Sequence, residues 1–193
     1  MLSWNNIEGS GLLESIEIEV KIKPKASPKY IKEKLSSHGS IFLYKVLEKD
    51  VYWQHPCRDF VKTDEALRTR VMIKDEGVEE CILTYKGPRQ KSVFKKREEI
   101  EVHADNCVKL GKLLEQLGFV KVATIVKDRE YYRLDNCLVS LDLVKDLGFF
   151  VEIECSERDI ERVLRALDID YIVVEETYLE LMLKKAKKKA NTI

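Results

Sequence analysis

The chain of 193 residues has the size of one large domain, and an apolar content of 45% argues against disorder. Its 34 basic and 34 acidic residues balance, so no overall field predicts a nucleic-acid partner or an anionic membrane, and any charge-based recognition must be local. The sequence has no apolar run long enough to predict a membrane span. We expect a single domain over residues 1–193 with a basic tail at about 184–193.

Alternating and helical spacings divide the chain into strands and a few helices. In chain order, the predicted elements are a strand at 15–23, a helix at 28–38, strands at 41–54, 66–74, 80–86 and 93–102, a helix at 105–117, strands at 121–134, 137–144 and 149–155, a helix from 156 and a last helix from 177. Most strands are joined by turns of hairpin length. An antiparallel sheet with helices at its edges is therefore expected.

Capping residues support the predicted helix boundaries. Ser27 is expected to cap the first helix, and Gly39 follows its end. Thr177 and Glu180 have the spacing of a capping box, in which each side chain bonds the backbone N–H of the other residue. The last helix should therefore begin after Thr177 and run into the lysine-rich tail.

The stretch ESIEIEVKIK, residues 14–23, alternates apolar and charged residues with a period of two. Because successive side chains of a strand point to opposite faces, one face is apolar and the other carries Glu17, Glu19, Lys21 and Lys23. The same separation recurs on later strands, whose ionic faces carry Arg68 and Arg70, Lys86, Lys95 with Arg97, Glu99 and Glu101, Lys127 with Arg129, Asp142, and Glu152 with Glu154.

Two architectures fit these faces. An ordinary sheet with its charged face in water accounts for any one strand. A closed barrel accounts for all of them together, because paired acids recur on the first and last strands and paired bases on three strands between. Buried charges need partners, so the interior of such a barrel is expected to bind a ligand. We predict an α+β fold, a closed eight-stranded antiparallel β-barrel that forms a tunnel, with helices packed outside.

The number and spacing of the cysteines bear on the cellular compartment. The five cysteines are Cys57, Cys81, Cys107, Cys137 and Cys155. Their number is odd, their spacing is wide and irregular, and no C-x-x-C pair occurs, which disfavours both a disulfide framework and a thiolate metal site. The N-terminal segment also lacks the basic region and apolar core of a signal peptide. We therefore expect a cytoplasmic protein.

Short motifs along the chain resemble one known family. EIEVK at 17–21 matches an E-x-E-x-K signature, and the order continues with DVYWQHP at 50–56, LRTR at 67–70, TYKGP at 84–88, KKREE at 95–99, KDREYY at 127–132 and LDLVKDLGFFVEIE at 141–154. Together they resemble the CYTH family of triphosphate tunnel metalloenzymes, which includes class IV adenylyl cyclases and thiamine triphosphatases. The resemblance implies an eight-stranded antiparallel barrel that forms a triphosphate tunnel.

The resemblance also implies roles for the ionic residues. Mg²⁺ or Mn²⁺ would be held by Glu17, Glu19, Glu152 and Glu154, with Asp142 as a further ligand or as an acid beside the reacting atoms. The triphosphate would be bound by Lys21, Arg68, Arg70, Lys86, Lys127 and Arg129. Among all of these, the candidate catalytic residues are Lys86, Lys127, Arg129 and Asp142.

The motifs leave the reaction open. Attack of the ribose 3′ oxygen of ATP on the α-phosphorus would produce cyclic AMP and pyrophosphate. Attack of water on the terminal phosphorus would make the protein a triphosphatase for tripolyphosphate, thiamine triphosphate or a nucleotide. A non-catalytic polyphosphate-binding module is the third class. The motifs are most similar to the cyclase-like branch, and an oligomer is compatible with the sequence.

Overall fold

The computed structural model describes residues 15–74, 77 and 79–190. All the predicted strands and helices are present, with small shifts at their ends, and two short elements, α2 and β9, are additional. The elements are β1 (Ser15–Pro24), α1 (Pro28–Ser37), β2 (Ile41–Gln54), α2 (Phe60–Thr63), β3 (Ala66–Lys74), β4 (Glu79–Lys86), β5 (Lys95–Ala104), α3 (Cys107–Gln116), β6 (Val120–Leu134), β7 (Cys137–Val144), β8 (Gly148–Glu154), α4 (Glu157–Leu167), β9 (Tyr171–Val173) and α5 (Tyr178–Ala190).

The strands form one closed antiparallel barrel. Hydrogen-bonded neighbours follow the order β5-β4-β3-β2-β6-β7-β8-β1, and the barrel closes where β1 pairs with β5. The short strand β9 pairs with the end of β1. The predicted eight-stranded barrel with helices outside is therefore confirmed.

The main apolar core lies outside the barrel, beneath α1 and α4. Val20 and Ile22 of β1 point outward and are buried against Ile31 of α1 and Ile160 of α4. Because one face of each strand is covered in this way, the opposite, charged face must point into the barrel. The helices thus fix which side of β1 forms the tunnel wall.

The helix ends agree with the capping residues, with one shift. The Ser27 hydroxyl accepts from the Tyr30 N–H at 3.3 Å. The capping box is confirmed, since the N–H of Thr177 donates to Glu180 Oε2 at 2.6 Å and the N–H of Glu180 donates to Thr177 Oγ1 at 3.1 Å. The cap of α3 is Asn106, so this helix begins later than the predicted position 105.

The prediction from the cysteines is wrong. Cys81 is bonded to Cys107 and Cys137 to Cys155, with Cα atoms 5.4 and 4.9 Å apart, while Cys57 is free and exposed. Sequence spacing failed here because strand pairing decides the contacts. The Leu138 to Glu154 pairing of β7 and β8, for example, brings Cys137 beside Cys155. The cysteines therefore no longer support the prediction of a cytoplasmic protein, which assumed free thiols.

The C-terminal helix includes most of the predicted basic tail. α5 ends at Ala190, and residues 191–193 of that tail lie outside the described residues. In the described part of the chain, no helix has the length and apolar character needed to cross a membrane.

Candidate active site in the barrel tunnel

The inward faces of the strands surround a cavity of about 570 Å³. Every predicted site residue except Asp142 lines it, and Asp142 lies buried directly behind Arg129. The sequence alternation therefore placed these side chains on the correct face. Their partners, however, divide them into a basic region with its own acids and an acidic region with fewer bases.

Arg70 of β3 is neutralised by two acids of β2. Its Nε lies 2.6 Å from Asp50 Oδ1, its NH2 group 2.7 Å from Asp50 Oδ2, and its NH1 group 3.1 Å from Glu48 Oε2. Lys127 of β6 lies 3.1 Å from the same Glu48 oxygen. Burial opposes ionisation of Glu48, but the charges of Arg70 and Lys127 outweigh it and lower the pKa of Glu48 to about 2. This part of the wall is ionic yet nearly balanced.

Arg129 of β6 contacts two of the predicted metal ligands, Asp142 and Glu152. Its Nε donates to Asp142 Oδ1 at 2.5 Å, and its NH2 group contacts both Asp142 and Glu152. Burial opposes ionisation of Glu152, but the charges of Arg129 and Lys21 hold its pKa well below its ordinary value. The hydroxyl of Tyr178 also donates to Asp142 Oδ2 at 2.7 Å. Both acids are thus held by cations.

The acids of β1 share a smaller number of bases. Glu17 lies 2.7 Å from Lys86, whose ammonium is also 2.9 Å from Glu99, and Glu19 lies 2.6 Å from Lys95. Burial and the neighbouring Glu19 raise the pKa of Glu17 to about 8, although Lys86 opposes this. For Glu19, burial is outweighed by the charge of Lys95, and the pKa falls to about 2. At Glu17, burial and the neighbouring carboxylates therefore outweigh the charge of Lys86.

Glu154 of β8 adds a third acid to this region. It is the pairing partner of Glu19 and is exposed to water in the tunnel. Partial burial and the charges of Glu17 and Glu19 raise its pKa to about 7. The mutual repulsion of these carboxylates is what a bound cation would relieve.

The predicted metal site can be compared with this geometry. Among the described residues, no group of three or more His, Cys, Asp or Glu side chains is close enough to hold a metal ion as it stands. The chemistry of the donors nevertheless fits Mg²⁺ or Mn²⁺, because Glu17, Glu19 and Glu154 supply hard oxygen ligands and the pKa values of Glu17 and Glu154 are raised by burial and by the neighbouring acids. Glu152 and Asp142 fit less well, since Arg129 already occupies their oxygens.

Arg68, which is mostly buried, and Arg97, which is buried, retain unused hydrogen-bond donors. Arg68 is 3.6 Å from Glu99 and 3.7 Å from Asp50, and its Nε has no hydrogen-bond partner in the described part of the chain. Arg97 is 3.5 Å from Asp64, and two of its nitrogens likewise lack a hydrogen bond to any described residue. A guanidinium with free donors on the tunnel wall is suited to bind an oxyanion.

Sequence reasoning missed three residues that organise the site. Glu48 and Asp50 are almost fully buried acids on β2, and Tyr178 of α5 lies beneath Lys21, whose Nζ is 4.1 Å from the ring centre. The alternation of Glu48, Asp50 and Tyr52 could have shown that these acids face inward. Only the docking of α5 could have shown the role of Tyr178.

The antiparallel barrel encloses an acidic region and a basic region. These features define a class of tunnel proteins whose cavity can bind a polyanion together with a cation. Comparison with known proteins agrees, because the CYTH domain family matches residues 15–188. The chain belongs to the CYTH family.

Individual relatives support this assignment. A Methanocaldococcus jannaschii protein named "Putative adenylate cyclase" is 37% identical over 177 residues, which are 86% of this chain and 98% of that protein. The structure of PH1819 from Pyrococcus horikoshii is 40% identical, with a TM-score of 0.77, and the match covers 88% of this chain and 99% of that one.

A more distant structure shares the fold. It is a Hippeastrum protein described as "Putative adenylyl cyclase HpAC1", with a dominant triphosphatase activity stated for it. It is 21% identical, with a TM-score of 0.66, and the match covers 88% of this chain and 96% of that one. At this identity the similarity concerns the fold alone.

Proposed function

We propose that this chain is an enzyme that binds a triphosphate and Mg²⁺ or Mn²⁺ in its tunnel and catalyses displacement at phosphorus. The observation that carries the proposal is the charge arrangement of one cavity. Arg68, Lys86 and Lys127 line the same space as Glu17 and Glu154, two acids whose pKa values are raised. A polyphosphate with a divalent cation has the complementary charge for both regions.

The basic residues would supply the positioning and the charge that phosphoryl chemistry needs. Fixed cations around the phosphate chain stabilise the negative charge that develops in an in-line displacement. Arg68 has free donors for this purpose, whereas Arg70 and Arg129 would share theirs with the acids that already hold them. A bound metal would supply Lewis-acid stabilisation of the phosphate oxygens.

Two reactions are candidates, cyclisation of ATP and hydrolysis of a terminal phosphate. The first, which forms cyclic AMP and pyrophosphate from ATP, is our first candidate. It is favoured by the 37% identical relative that carries an adenylate cyclase name. Lys127 would act as a fixed cation beside the reacting phosphates, and its partner Glu48 would hold its ammonium in place.

Hydrolysis of the terminal phosphate is the second candidate. Glu154 is exposed within the tunnel, so water reaches the acidic region where such an attack would begin. The same cationic wall would bind tripolyphosphate, thiamine triphosphate or ATP.

Product analysis tests the proposal. The purified protein is incubated with ATP, tripolyphosphate and thiamine triphosphate in turn, with Mg²⁺ or Mn²⁺, and the products are identified. Cyclic AMP and pyrophosphate would support the cyclase, and release of orthophosphate would support the triphosphatase. Absence of any product with all three compounds and both metals would contradict an enzymatic function.

A further inference from the structure

One ion pair on the tunnel wall involves an acid that we assign to the metal. Lys95, the first residue of β5, is the register partner of Glu19 on β1, and its Nζ lies 2.6 Å from Glu19 Oε1. The two side chains are only 14% and 10% exposed. Among the described residues, this is the one ion pair that Lys95 makes. The ammonium of Lys95 therefore occupies an oxygen that is a candidate metal ligand.

The barrel wall has an opening beside this ion pair. β1 pairs with β5 as far as Glu19 and with β9 from Ile22 onward, so β5 and β9 diverge between these positions. A cavity of about 230 Å³, which we call the side cleft, lies there between β1, the loop that precedes β5 and residues 173–175. Its wall includes the exposed Val93, so it opens to the surface. Lys95 lines both the side cleft and the tunnel.

Lys95 holds its acid by a simpler contact than other cations of the tunnel do. Arg129 uses its planar fork to reach both oxygens of Asp142. Lys86 lies between two acids, Glu17 and Glu99, and does not line the side cleft. Lys95 donates to one oxygen of one acid, from a flexible four-carbon stem that has open space beside it. Its contact with Glu19 is therefore the one best placed to be exchanged.

We propose that Lys95 is a displaceable counterion, which neutralises Glu19 in the metal-free protein and moves its ammonium into the side cleft when a divalent cation binds Glu19. This inference rests on the proposed function and concerns the regulation of its metal site. An ammonium and a divalent cation at one carboxylate repel each other, so the weaker ligand partner leaves. Glu175 on the wall of the side cleft supplies a negative charge for the displaced ammonium. Lys95 would thus lower the affinity of the tunnel for a metal.

Calorimetric titration of the full chain with Mn²⁺ tests the competition. Lys95→Met removes the ammonium and keeps a flexible side chain, and it should bind Mn²⁺ about tenfold or more tightly than the wild type does. Lys95→Arg keeps a cation beside Glu19 and should bind Mn²⁺ no more tightly than the wild type. Lys96→Met is the matched control, because it removes the same charge from the next residue of β5, on the opposite face, and it should bind Mn²⁺ as the wild type does.

A double-mutant cycle tests the destination of the ammonium. Glu175→Gln should weaken Mn²⁺ binding several-fold in the wild type, because the displaced ammonium loses its partner in the side cleft. The same substitution should have no effect in Lys95→Met, which has no ammonium to displace. An equal loss in both backgrounds would overturn the move into the side cleft.

Chemical labelling of the wild type reports the same movement and requires no Lys95 variant to fold. An amine-acylating reagent reacts slowly with a lysine that is mostly buried and paired, so labelling of Lys95, measured by mass spectrometry, should rise several-fold when Mn²⁺ is added. Glu19→Gln should show the fast labelling without metal, because its Lys95 has lost its acid. Labelling of Lys96 in the same samples should stay constant.

The outcomes separate this inference from the proposed function. If Lys95→Met binds Mn²⁺ as the wild type does or more weakly, or if Mn²⁺ leaves the labelling of Lys95 unchanged, Lys95 is not displaced and the metal site stands. If neither the wild type nor Lys95→Met binds Mn²⁺, with or without tripolyphosphate, both this inference and the proposed function are wrong.

Discussion

Arg70 and Asp50 form a two-pronged ion pair inside the barrel, with nitrogen–oxygen distances of 2.6 and 2.7 Å. Both side chains are almost fully buried. The pair shows that the tunnel does not present bare cations to its ligand. Its basic groups are held in place by acids, so their orientation is determined before a phosphate arrives.

Removing the acid of this pair should destabilise the protein. Asp50→Ala leaves Arg70 with only Glu48 nearby, and an incompletely paired buried charge costs about 3–5 kcal/mol. Urea unfolding should show this loss, and tripolyphosphate should stabilise the variant more than the wild type because the anion replaces the missing charge. Asp128→Ala, which removes an exposed acid, is the control. Equal stability of Asp50→Ala and wild type would contradict the role of the pair.

Arg68 is expected to act on the substrate more than on the fold. Its ion pairs are long and its Nε is free of hydrogen bonds to the described residues, so Arg68→Ala should cost little stability but about 2–4 kcal/mol in kcat/KM. Arg68→Lys should retain part of the activity, because an ammonium offers a point charge without the planar fork. Arg158→Ala on the exposed face of α4 is the matched control. Unchanged kinetics in Arg68→Ala would rule out phosphate contact.

The acids of β1 are expected to bind the metal. Glu17→Gln and Glu19→Gln should each abolish Mn²⁺ binding in calorimetry and abolish turnover, while circular dichroism shows a folded protein. Glu152→Gln should reduce activity mainly by freeing Arg129 and Lys21, and it should retain metal binding. Glu161→Gln, on an exposed part of α4, should behave as wild type. Metal binding that survives in both β1 variants would refute the assignment.

The metal-free protein should lose stability as the pH rises. The folded pKa of Glu17, about 8, exceeds its ordinary value of 4.5, so between these values the folded state holds more protons than the unfolded state. The free energy of unfolding should therefore fall with rising pH in this window, by at most about 1.4 kcal/mol per pH unit from Glu17, and Glu154, with a pKa of about 7, acts in the same direction. Glu19, with a pKa of about 2, acts oppositely, and its contribution is lost only as the pH falls from 4.5 towards 2.

Urea unfolding between about pH 5 and about pH 8, with chelator present, measures the effect of Glu17. Glu17→Gln should reduce the slope, because the glutamine does not titrate, and the remaining slope is that of Glu154. A wild-type slope of the opposite sign, or an unchanged slope in Glu17→Gln, would show that Glu17 ionises freely in the folded protein.

Metal and triphosphate together should stabilise the fold. At about a hundred times the dissociation constant, linkage contributes roughly 2.7 kcal/mol, which a rise in melting temperature will report. The rise should be smaller with pyrophosphate and should fall sharply in Lys21→Ala, because Lys21 is buried beside Glu152 in the tunnel. Lys23→Ala is the control, since Lys23 is exposed on the same strand. An equal response of both variants would place Lys21 outside the ligand site.

The sequence by itself determined the strands, most helix ends and the inward face of each strand. These are local properties, because a period of two follows from strand geometry and a capping box spans only a few residues. Glu17, Glu19 and Lys21 could therefore be placed on the tunnel wall without knowledge of the fold. The motif order then indicated which wall residues to expect together.

Only the tertiary structure decided which charges meet. Asp50 pairs with Arg70 because the register of β2 and β3 places them opposite each other, and Glu152 contacts Arg129 because β7 brings β6 and β8 to its two sides. The same through-space relations placed Tyr178 beneath Lys21 and joined cysteines that are far apart in sequence. Periodicity assigns a side chain to a face, but its partner depends on strand order, register and helix docking, which local sequence does not encode.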